Sequence, residues 1–268
     1  MEAKNRSIAI VGAGNLGTSL VNGLIDSNNF SATSFSLSKR KITSLSTFRE
    51  KGCIVTNNNR DAVKNADIVV IAVLPQKIDE VLSEIATSLN ENQLIISLVT
   101  GVKVVEIQTQ IGNNIPVVRA MPNTAIAIRE SMTCISTSPQ WKEHIPIVQD
   151  IFEHVGETVI INEDQMTSAT ALCACGIAFF LRAIRAATQG GTEIDFHASV
   201  ALKMAAQTAK GAASLLLENN SHPEDEIDKV TSPKGCTIAG LNEMEHSGFS
   251  SSFIKGITTS AEKAKGLY

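Results

Sequence analysis

The sequence predicts an α/β protein: a doubly wound, Rossmann-type sheet followed by an all-helical part. Short apolar runs such as Asp67–Val73 (DIVVIAV) lack polar alternation, which is typical of parallel strands covered on both faces. Segments with helical spacing separate these runs. Beyond about residue 163 the strand-like runs stop and long apolar helices follow. We therefore expect two domains, residues 1–162 and residues 163–268.

The elements of the first domain alternate along the chain. Strands are predicted for the short apolar runs, at Ser7–Val11, Ser34–Ser38, Cys53–Val55, Asp67–Val73, Leu94–Leu98 and Ile115–Ala120. Helices are predicted for the amphipathic or polar segments between them, at Leu16–Ile25, 40–51, Asp61–Lys64, 76–89 and 103–111.

The second domain is predicted to be helical throughout. Its helices are expected at Met166–Thr188, at 194–218, from about Thr237, and over 250–265. The first of them is apolar on nearly every side, so it requires burial in a larger core or against a partner. We therefore expect a homodimer, or a higher homo-oligomer, formed through this helical half.

The composition limits the classes of function. With 268 residues, 43% of them hydrophobic, the chain can build a substantial core. The net charge of −4 and the pI near 5.8 argue against nucleic acid or an anionic membrane as partner. No run approaches the roughly 18 uninterrupted apolar residues of a membrane span. The polar start (MEAKNR) does not resemble a signal peptide, so we expect a cytoplasmic protein.

The cysteines form an odd set without the spacing of metal ligands: Cys53, Cys134, Cys173, Cys175 and Cys236. One residue separates Cys173 from Cys175, whereas redox and zinc motifs have two. We expect reduced thiols, mostly in the core, and no metal site.

A glycine motif follows the first predicted strand. The residues Gly12, Gly14 and Gly17 give GxGxxG between a strand and a helix. The first glycine permits a tight turn, the second a close approach of a pyrophosphate, and the third close packing of helix on strand. With Asn15 and Leu16, they predict a dinucleotide site at the helix N-terminus. The alternative is a glycine-rich turn without a ligand.

The end of the second strand indicates which dinucleotide is bound. NAD sites place an acidic residue there to hold the ribose 2′-hydroxyl, whereas NADP sites use cations. Here the sequence is Ser38-Lys39-Arg40, without an acid. A hydroxyl and two cations would suit a 2′-phosphate, so we expect NADPH to be preferred over NADH. The alternative is that both cations belong to a solvated helix start.

Two further strands end in prolines. The segment through Val73 and Pro75 and the segment Met121-Pro122-Asn123 both emerge at the carboxyl edge of the predicted sheet. Ligands bind at this edge in doubly wound folds. Asn123 could bind a carboxamide or a substrate, and plain turn chemistry is the alternative for it.

A polar loop precedes a helix of the second domain. The segment 230–237 (VTSPKGCT) offers hydroxyls and free amides at the start of that helix. Such a helix start suits a carboxylate. The alternative is an N-cap without a ligand, which explains Ser232 or Thr237 alone better than it explains the whole loop.

The order of these motifs resembles the pyrroline-5-carboxylate reductase family. The segments GAGNLG, AVLPQ, VVRAMPNTAIAIRESMT and VTSPKGCTIAGLNEMEHSGF carry the resemblance, over roughly residues 7–265. It implies a Rossmann domain and a helical domain that interlocks with a partner's to form a dimer. It also implies reduction of 1-pyrroline-5-carboxylate, a small imino acid, to L-proline with NAD(P)H.

The resemblance also implies roles for particular residues. The substrate carboxylate would be held by Ser232, Gly235 and Thr237. The nicotinamide would be bordered by Val73, Pro75, Met121, Pro122 and Asn123. Asn59 would lie near the adenosine ribose. Hydride transfer to an imine asks mainly for orientation, and Thr237 could donate to the substrate nitrogen, directly or through water.

The sequence departs from the family pattern in the substrate half. Leu74 replaces a lysine, Lys234 replaces the first of two glycines, and residues 173–179 (CACGIAF) replace SGSGPAY. The Lys234 ammonium could supply the charge that Leu74 lacks at the substrate carboxylate. Two alternatives follow: a divergent reductase of another small imine or keto acid, and an NADPH-binding protein without turnover.

Overall fold

The structure, a computed structural model, describes residues 3–112 and 114–266. Its described residues form one eight-stranded sheet in the order β3-β2-β1-β4-β5-β6-β7-β8. The strands are β1 (Ile8–Val11), β2 (Phe35–Ser38), β3 (Ile54–Thr56), β4 (Ile68–Ile71), β5 (Leu94–Ser97), β6 (Val117–Met121), β7 (Ser131–Thr137) and β8 (Gly156–Ile160).

The sheet is doubly wound, as predicted. Strands β1 to β6 pair in parallel, β7 is antiparallel to β6, and β8 is parallel to β7. The chain starts in the middle of the sheet, winds outwards through β2 and β3, and returns through β4 on the other side of β1. Ligands of such folds bind at this reversal of strand order, outside the carboxyl ends of β1 and β4.

Helices connect the strands and form the second half of the chain. They are α1 (Asn15–Asp26), α2 (Ser46–Glu50), α3 (Asn59–Val63), α4 (Ile78–Ile85), α5 (Val104–Ile111), α6 (Ile145–Glu153), α7 (Met166–Ala169), α8 (Gly176–Glu193), α9 (Ala198–Asn219), α10 (Pro223–Val230), α11 (Cys236–His246) and α12 (Phe249–Ala264). Shorter 3₁₀ turns join them, among them Ile42–Leu45, Pro75–Lys77 and Thr124–Ile128.

Alternate residues of the central strands point into two separate cores. Ile8 and Ile10 of β1 pack in the core that α1 and α6 cover, whereas Ala9 and Val11 pack in the core under α4 and α5. Both faces of the strand are therefore buried. This explains why the strand runs contain no polar alternation.

Two strands and two helices were not predicted from the sequence. Strand β7 carries the buried polar residues Ser131, Thr133 and Ser136. Because serine and threonine are common in turns, the sequence pattern did not indicate a strand here. Ser131 and Thr133 satisfy each other, with their hydroxyl oxygens 3.3 Å apart. Strand β8 and helices α6 and α10 were likewise missed.

Three predicted helices differ from the structure. The helix expected over 40–51 is a 3₁₀ turn followed by the short α2. The helix expected from 194 begins at Ala198, because Asp195 has φ +79° and an α-helix cannot pass through that conformation. The helix expected over Met166–Thr188 is interrupted by a π-helical turn at Thr170–Cys175 and then runs on to Glu193.

A buried ion pair connects β6 with two other segments of the chain. Arg119 in β6 is 4% exposed, and its Nη1 donates to Glu163 Oε1 at 3.2 Å. The same oxygen accepts from the Val104 amide at the start of α5. Burial lowers the pKa of the Arg119 guanidinium, and the Glu163 carboxylate opposes that shift. Three separate segments are thereby joined.

The chain divides into two compact units. One runs to Cys175 and includes the segment from Ser260 onwards; the other is Gly176–Thr259. The predicted domain boundary between residues 162 and 163 stays a prediction. In the second unit, every residue of which the structure describes, the buried residues are Gly176, Thr188 and Ala201. That unit therefore has hardly any core within one chain.

Among the residues that the structure describes, one helical stretch, Glu163–Glu193, is long and apolar enough to cross a membrane by length and composition alone. Core helices of soluble proteins meet the same criterion.

Candidate functional site

The glycine turn leaves β1 at the carboxyl edge of the sheet. Gly12 has φ +84°, and the amides of Gly12 and Ala13 both donate to the Ser38 carbonyl oxygen, at 3.2 and 2.9 Å. Helix α1 starts immediately afterwards, with Gly14 as its N-cap and without a side-chain hydrogen bond to that cap. The first amides of α1 are therefore available to an anion.

The three motif glycines meet different surroundings. A Cβ on Gly12 would collide with Val73 Cγ1 and lie 2.9 Å from the Ala72 carbonyl oxygen. A Cβ on Gly17 would lie 2.9 Å from Ile10 Cγ2, too close for helix and strand to pack as they do. At Gly14 the nearest atom would be 3.8 Å away, so this side of the turn is open. These surroundings fit the pyrophosphate of a dinucleotide.

A cavity of about 560 Å³ lies beside this turn. It gathers seven of the predicted cofactor residues: Gly12, Gly14, Ser38, Lys39, Arg40, Asn59 and Val73. Three others, Asn15, Leu16 and Gly17, lie in the first turn of α1, and Pro75 begins the following 3₁₀ turn. Leu74, which stands where the family has a lysine, lines the cavity and is 71% exposed.

A chain of hydrogen bonds forms one wall of the cavity. The buried Ser38 hydroxyl donates to Asn59 Oδ1 at 2.6 Å, and Asn59 Nδ2 donates to Glu84 at 2.7 Å. The hydroxyl predicted to bind a phosphate is thus already engaged inside the wall. Lys39 and Arg40 remain as the predicted groups that can meet a 2′-phosphate.

Sequence reasoning missed the contribution of α4 and its preceding turn. Lys77, Glu80, Val81 and Glu84 all line the cavity. Their spacing of three, one and three residues places them on one helical face, and this periodicity was the signal that could have found them. Lys77 pairs with Glu80 at 2.9 Å, and this hydrogen bond lowers the pKa of the Glu80 carboxyl.

The segment after β6 does not line this cavity. Met121 and Pro122 are buried. Asn123 Oδ1 accepts from the Ala125 amide at 2.9 Å, and Asn123 Nδ2 donates to the Cys173 carbonyl oxygen at 3.3 Å. Turn chemistry, the alternative considered for Asn123, is therefore present. The amide also ties the end of β6 to the π-helical turn.

The predicted substrate residues lie in the second unit. Ser232 and Lys234 line a shallow hollow of about 350 Å³ with Thr231, Pro233 and Ile238. Gly235 is the N-cap of α11, and Thr237 lies in the first turn of that helix. The cap makes no side-chain hydrogen bond. The amides at this helix start are therefore available to a carboxylate.

The structure adds a conformational reason for the family's glycine at position 234. Lys234 has φ +59°, in the left-handed region that favours glycine. The replacement of glycine by lysine therefore introduces a charge at the expense of backbone strain.

The cysteines are all free thiols, and the described residues hold no group of three or more His, Cys, Asp or Glu that could bind a metal ion.

Two family models match parts of the chain. Residues 163–267 match the model described as pyrroline-5-carboxylate reductase dimerisation. Residues 7–101 match the model described as NADP oxidoreductase coenzyme F420-dependent.

Two curated relatives come from Dictyostelium discoideum. Pyrroline-5-carboxylate reductase 1 is 49% identical over 280 residues, with all of this chain aligned to 51% of the relative's length. The chain thus spans about half of that relative. Pyrroline-5-carboxylate reductase 2 is 43% identical over 276 residues, covering 97% of this chain and 92% of the relative.

Solved structures show the same fold. A pyrroline-5-carboxylate reductase from Coxiella burnetii superimposes with a TM-score of 0.88 at 30% identity, covering 98% of each chain. A pyrroline carboxylate reductase from Plasmodium falciparum, solved with NADP bound, gives a TM-score of 0.90 at 23% identity over 98% of each chain.

The doubly wound sheet, its glycine turn and the matched NADP oxidoreductase segment define an NAD(P)-dependent oxidoreductase. Within that class, the chain belongs to the pyrroline-5-carboxylate reductase family. The family predicted from the sequence motifs is therefore confirmed.

Replacing Lys234 with glycine is expected to stabilise the protein. Glycine adopts φ +59° without a Cβ clash, so Lys234→Gly should raise the free energy of unfolding by about 1 kcal/mol. Urea unfolding measures the change. Lys234→Ala is the matched control, because it removes the charge and keeps the Cβ. A gain of the same size in Lys234→Ala would show that charge, not backbone conformation, is responsible.

Proposed function

We propose that the protein reduces the C=N bond of 1-pyrroline-5-carboxylate to give L-proline, with NADPH preferred over NADH. The proposal is supported above all by two features of one chain. A cavity lined by cations lies at the carboxyl edge of the sheet, and α11 begins within the 232–237 segment, with no side-chain hydrogen bond at its N-cap. A relative of nearly the same length is named pyrroline-5-carboxylate reductase.

Separate parts of the cavity would bind the pyrophosphate, the 2′-phosphate and the adenosine ribose of NADPH. The open side of Gly14 and the first amides of α1 would receive the pyrophosphate. Lys39 and Arg40 would meet the 2′-phosphate. The wall formed by Ser38, Asn59 and Glu84 would face the adenosine ribose. When bound, the cofactor supplies the hydride for the imine carbon.

The substrate half of the proposal concerns the loop before α11. Its free amides and the Thr237 hydroxyl would donate hydrogen bonds to the substrate carboxylate, at the positive end of the helix. The Lys234 ammonium would add a charge. Thr237 could instead donate to the substrate nitrogen, directly or through water. The loop would thus fix the substrate's orientation, which is the main requirement of hydride transfer.

The sequence departs from the family pattern at Leu74, Lys234 and residues 173–179. These departures favour a second candidate substrate class, another small imine or a keto acid. NADPH oxidation by the purified protein decides between the classes, with 1-pyrroline-5-carboxylate, a six-membered cyclic imino acid and a keto acid as substrates. Fastest turnover of 1-pyrroline-5-carboxylate supports the proposal. Absence of turnover with every substrate would contradict the proposal and favour the alternative of an NADPH-binding protein without turnover.

We also place the protein in a reducing compartment, the cytoplasm. Its cysteines are all free, which suits a compartment in which thiols stay reduced.

We propose that the partner of this chain is a second copy of itself, bound through the helical unit to form a homodimer. Large apolar side chains are exposed along α8 and α9, for example Phe180 at 58%, Leu202 at 50% and Leu217 at 81%. An apolar groove of about 500 Å³ lies between these two helices. Monomeric proteins rarely leave so much apolar surface in water. A second copy of the same unit would cover it.

Removing the two cations should weaken NADPH selectively. The double variant Lys39→Ala with Arg40→Ala loses its contacts to the 2′-phosphate, so KM for NADPH should rise roughly 10-fold or more, while KM for NADH changes less than about twofold. Steady-state kinetics with both cofactors measure this. Arg49→Ala with Lys64→Ala removes the same charge from the first unit outside the cavity and serves as control. Equal losses with NADPH and NADH would contradict the assignment.

Truncating Thr237 should impair catalysis without affecting the cofactor. A hydrogen bond to a charged group contributes about 1.5–3 kcal/mol, so Thr237→Ala should lower kcat/KM for the imine roughly 10- to 150-fold. Thr237→Ser should recover most of the rate because it keeps the hydroxyl. Thr258→Ala makes the same change in α12 and should be silent. If Thr237→Ala is also silent, the substrate does not bind at this loop.

The full chain should sediment as a dimer or a larger assembly rather than as a folded monomer of 28.6 kDa. A charge in the groove, Phe180→Asp, should weaken assembly, because it places a carboxylate on the apolar surface to be buried. Ile54→Asp is the matched control, since Ile54 is 62% exposed but lies in the first unit. A stable, folded wild-type monomer would rule out the dimer.

A further inference from the structure

Two cysteines of different elements meet in the first unit. Cys134 lies in β7 and Cys173 in the π-helical turn, and their sulfur atoms are 3.7 Å apart. In a disulfide the sulfurs are about 2.05 Å apart, so an approach of under about 2 Å would join them. Cys134 is buried, whereas Cys173 is partly exposed and can be reached from solvent.

The two thiols are chemically unequal. The hydrogen bond from Cys134 lowers the pKa of Cys173 to about 7, although burial opposes this shift. The same bond, together with burial, raises the pKa of Cys134. The contact therefore favours a thiolate on Cys173 beside a thiol on Cys134. A reactive thiolate next to a second cysteine is the arrangement of redox-sensitive sites.

We propose that Cys134 and Cys173 form a reversible disulfide when the protein meets a peroxide. The Cys173 thiolate attacks the O–O bond of hydrogen peroxide, becomes a sulfenic acid and releases hydroxide, which takes up a proton. The Cys134 sulfur then attacks the Cys173 sulfur and water leaves, carrying the Cys134 proton. In total, two thiols and one peroxide give one disulfide and two waters, and a thiol reductant reverses the change.

The other three cysteines lack this geometry. Burial raises the pKa of the Cys53 thiol, which keeps it protonated and unreactive. Cys236 is exposed in the second unit. Cys175 shares the π-helical turn with Cys173, but the structure places Cys134, not Cys175, within contact of the Cys173 sulfur. These residues provide matched controls.

The disulfide would act on the end of β6. The Cys173 carbonyl oxygen accepts from Asn123, whose side chain also caps the 3₁₀ turn Thr124–Ile128. Cys134 lies opposite Met121 in the β6–β7 register. Both halves of the disulfide therefore touch the Met121-Pro122-Asn123 segment. This step rests on the proposed function and on the family resemblance, which implies that this segment borders the nicotinamide, and it predicts slower turnover of the oxidised enzyme.

The test uses the full-length reduced protein treated with hydrogen peroxide. Thiols are counted, and a non-reducing digest is analysed by mass spectrometry. Wild type and Cys175→Ser should each lose two thiols, gain a cross-link between residues 134 and 173, and recover with dithiothreitol. Cys134→Ser should stop at a sulfenic acid on Cys173, which dimedone traps. In Cys173→Ser, the remaining Cys134 thiol should oxidise far more slowly than the pair does in wild type.

Several results would overturn the proposal. One is a wild-type protein in which Cys173 oxidises to sulfinic acid without a cross-link; another is a cross-link through Cys175. The digest of wild type gives this answer even if a serine variant fails to fold. Cross-linking that leaves turnover unchanged would overturn the coupling to β6. A reduced enzyme without turnover would overturn the proposed function, and the cross-link would still be read from the digest.

Discussion

The close contact between the glycine turn and the end of β4 is the constraint on which the rest of the first unit depends. Gly12 lies against Val73 so tightly that a Cβ cannot be accommodated. This contact directs the start of α1 to the reversal point of the sheet, where Gly14 leaves open space. The cavity walls follow from it, because β2 contributes Ser38 beside the turn and α4 contributes Glu84 across from it.

Much of this first unit could be predicted from the sequence, because strands buried on both faces leave a plain apolar signature. The run Leu94–Leu98 matches β5 to within one residue. Strand β7 escaped prediction since Ser131 and Thr133 bury hydroxyls that satisfy each other, a pairing that no local pattern reveals. The π-helical turn also has no sequence signature. Asn123, whose side-chain amide donates to the Cys173 carbonyl oxygen in this turn, lies 50 residues away in the chain.

The parts of the site that short sequence motifs define could be predicted. The contacts between side chains that are distant in the sequence could not. The glycines and the cations after β2 follow from local sequence, and the structure gathers them in one cavity. The engagement of Ser38 by Asn59, and of Asn59 by Glu84, joins three elements that are separate in sequence. Such a chain of hydrogen bonds emerges only when the sheet brings β2, α3 and α4 together.

The scarcity of buried residues in Gly176–Thr259 has a thermodynamic consequence. A unit in which Gly176, Thr188 and Ala201 are the buried residues gains comparatively little hydrophobic free energy of folding by itself. Whatever covers its apolar helices supplies that free energy. With a second copy in this role, stability contains a mass-action term that grows with the logarithm of protein concentration. The amount of protein in the cell would then help determine how much of it is folded.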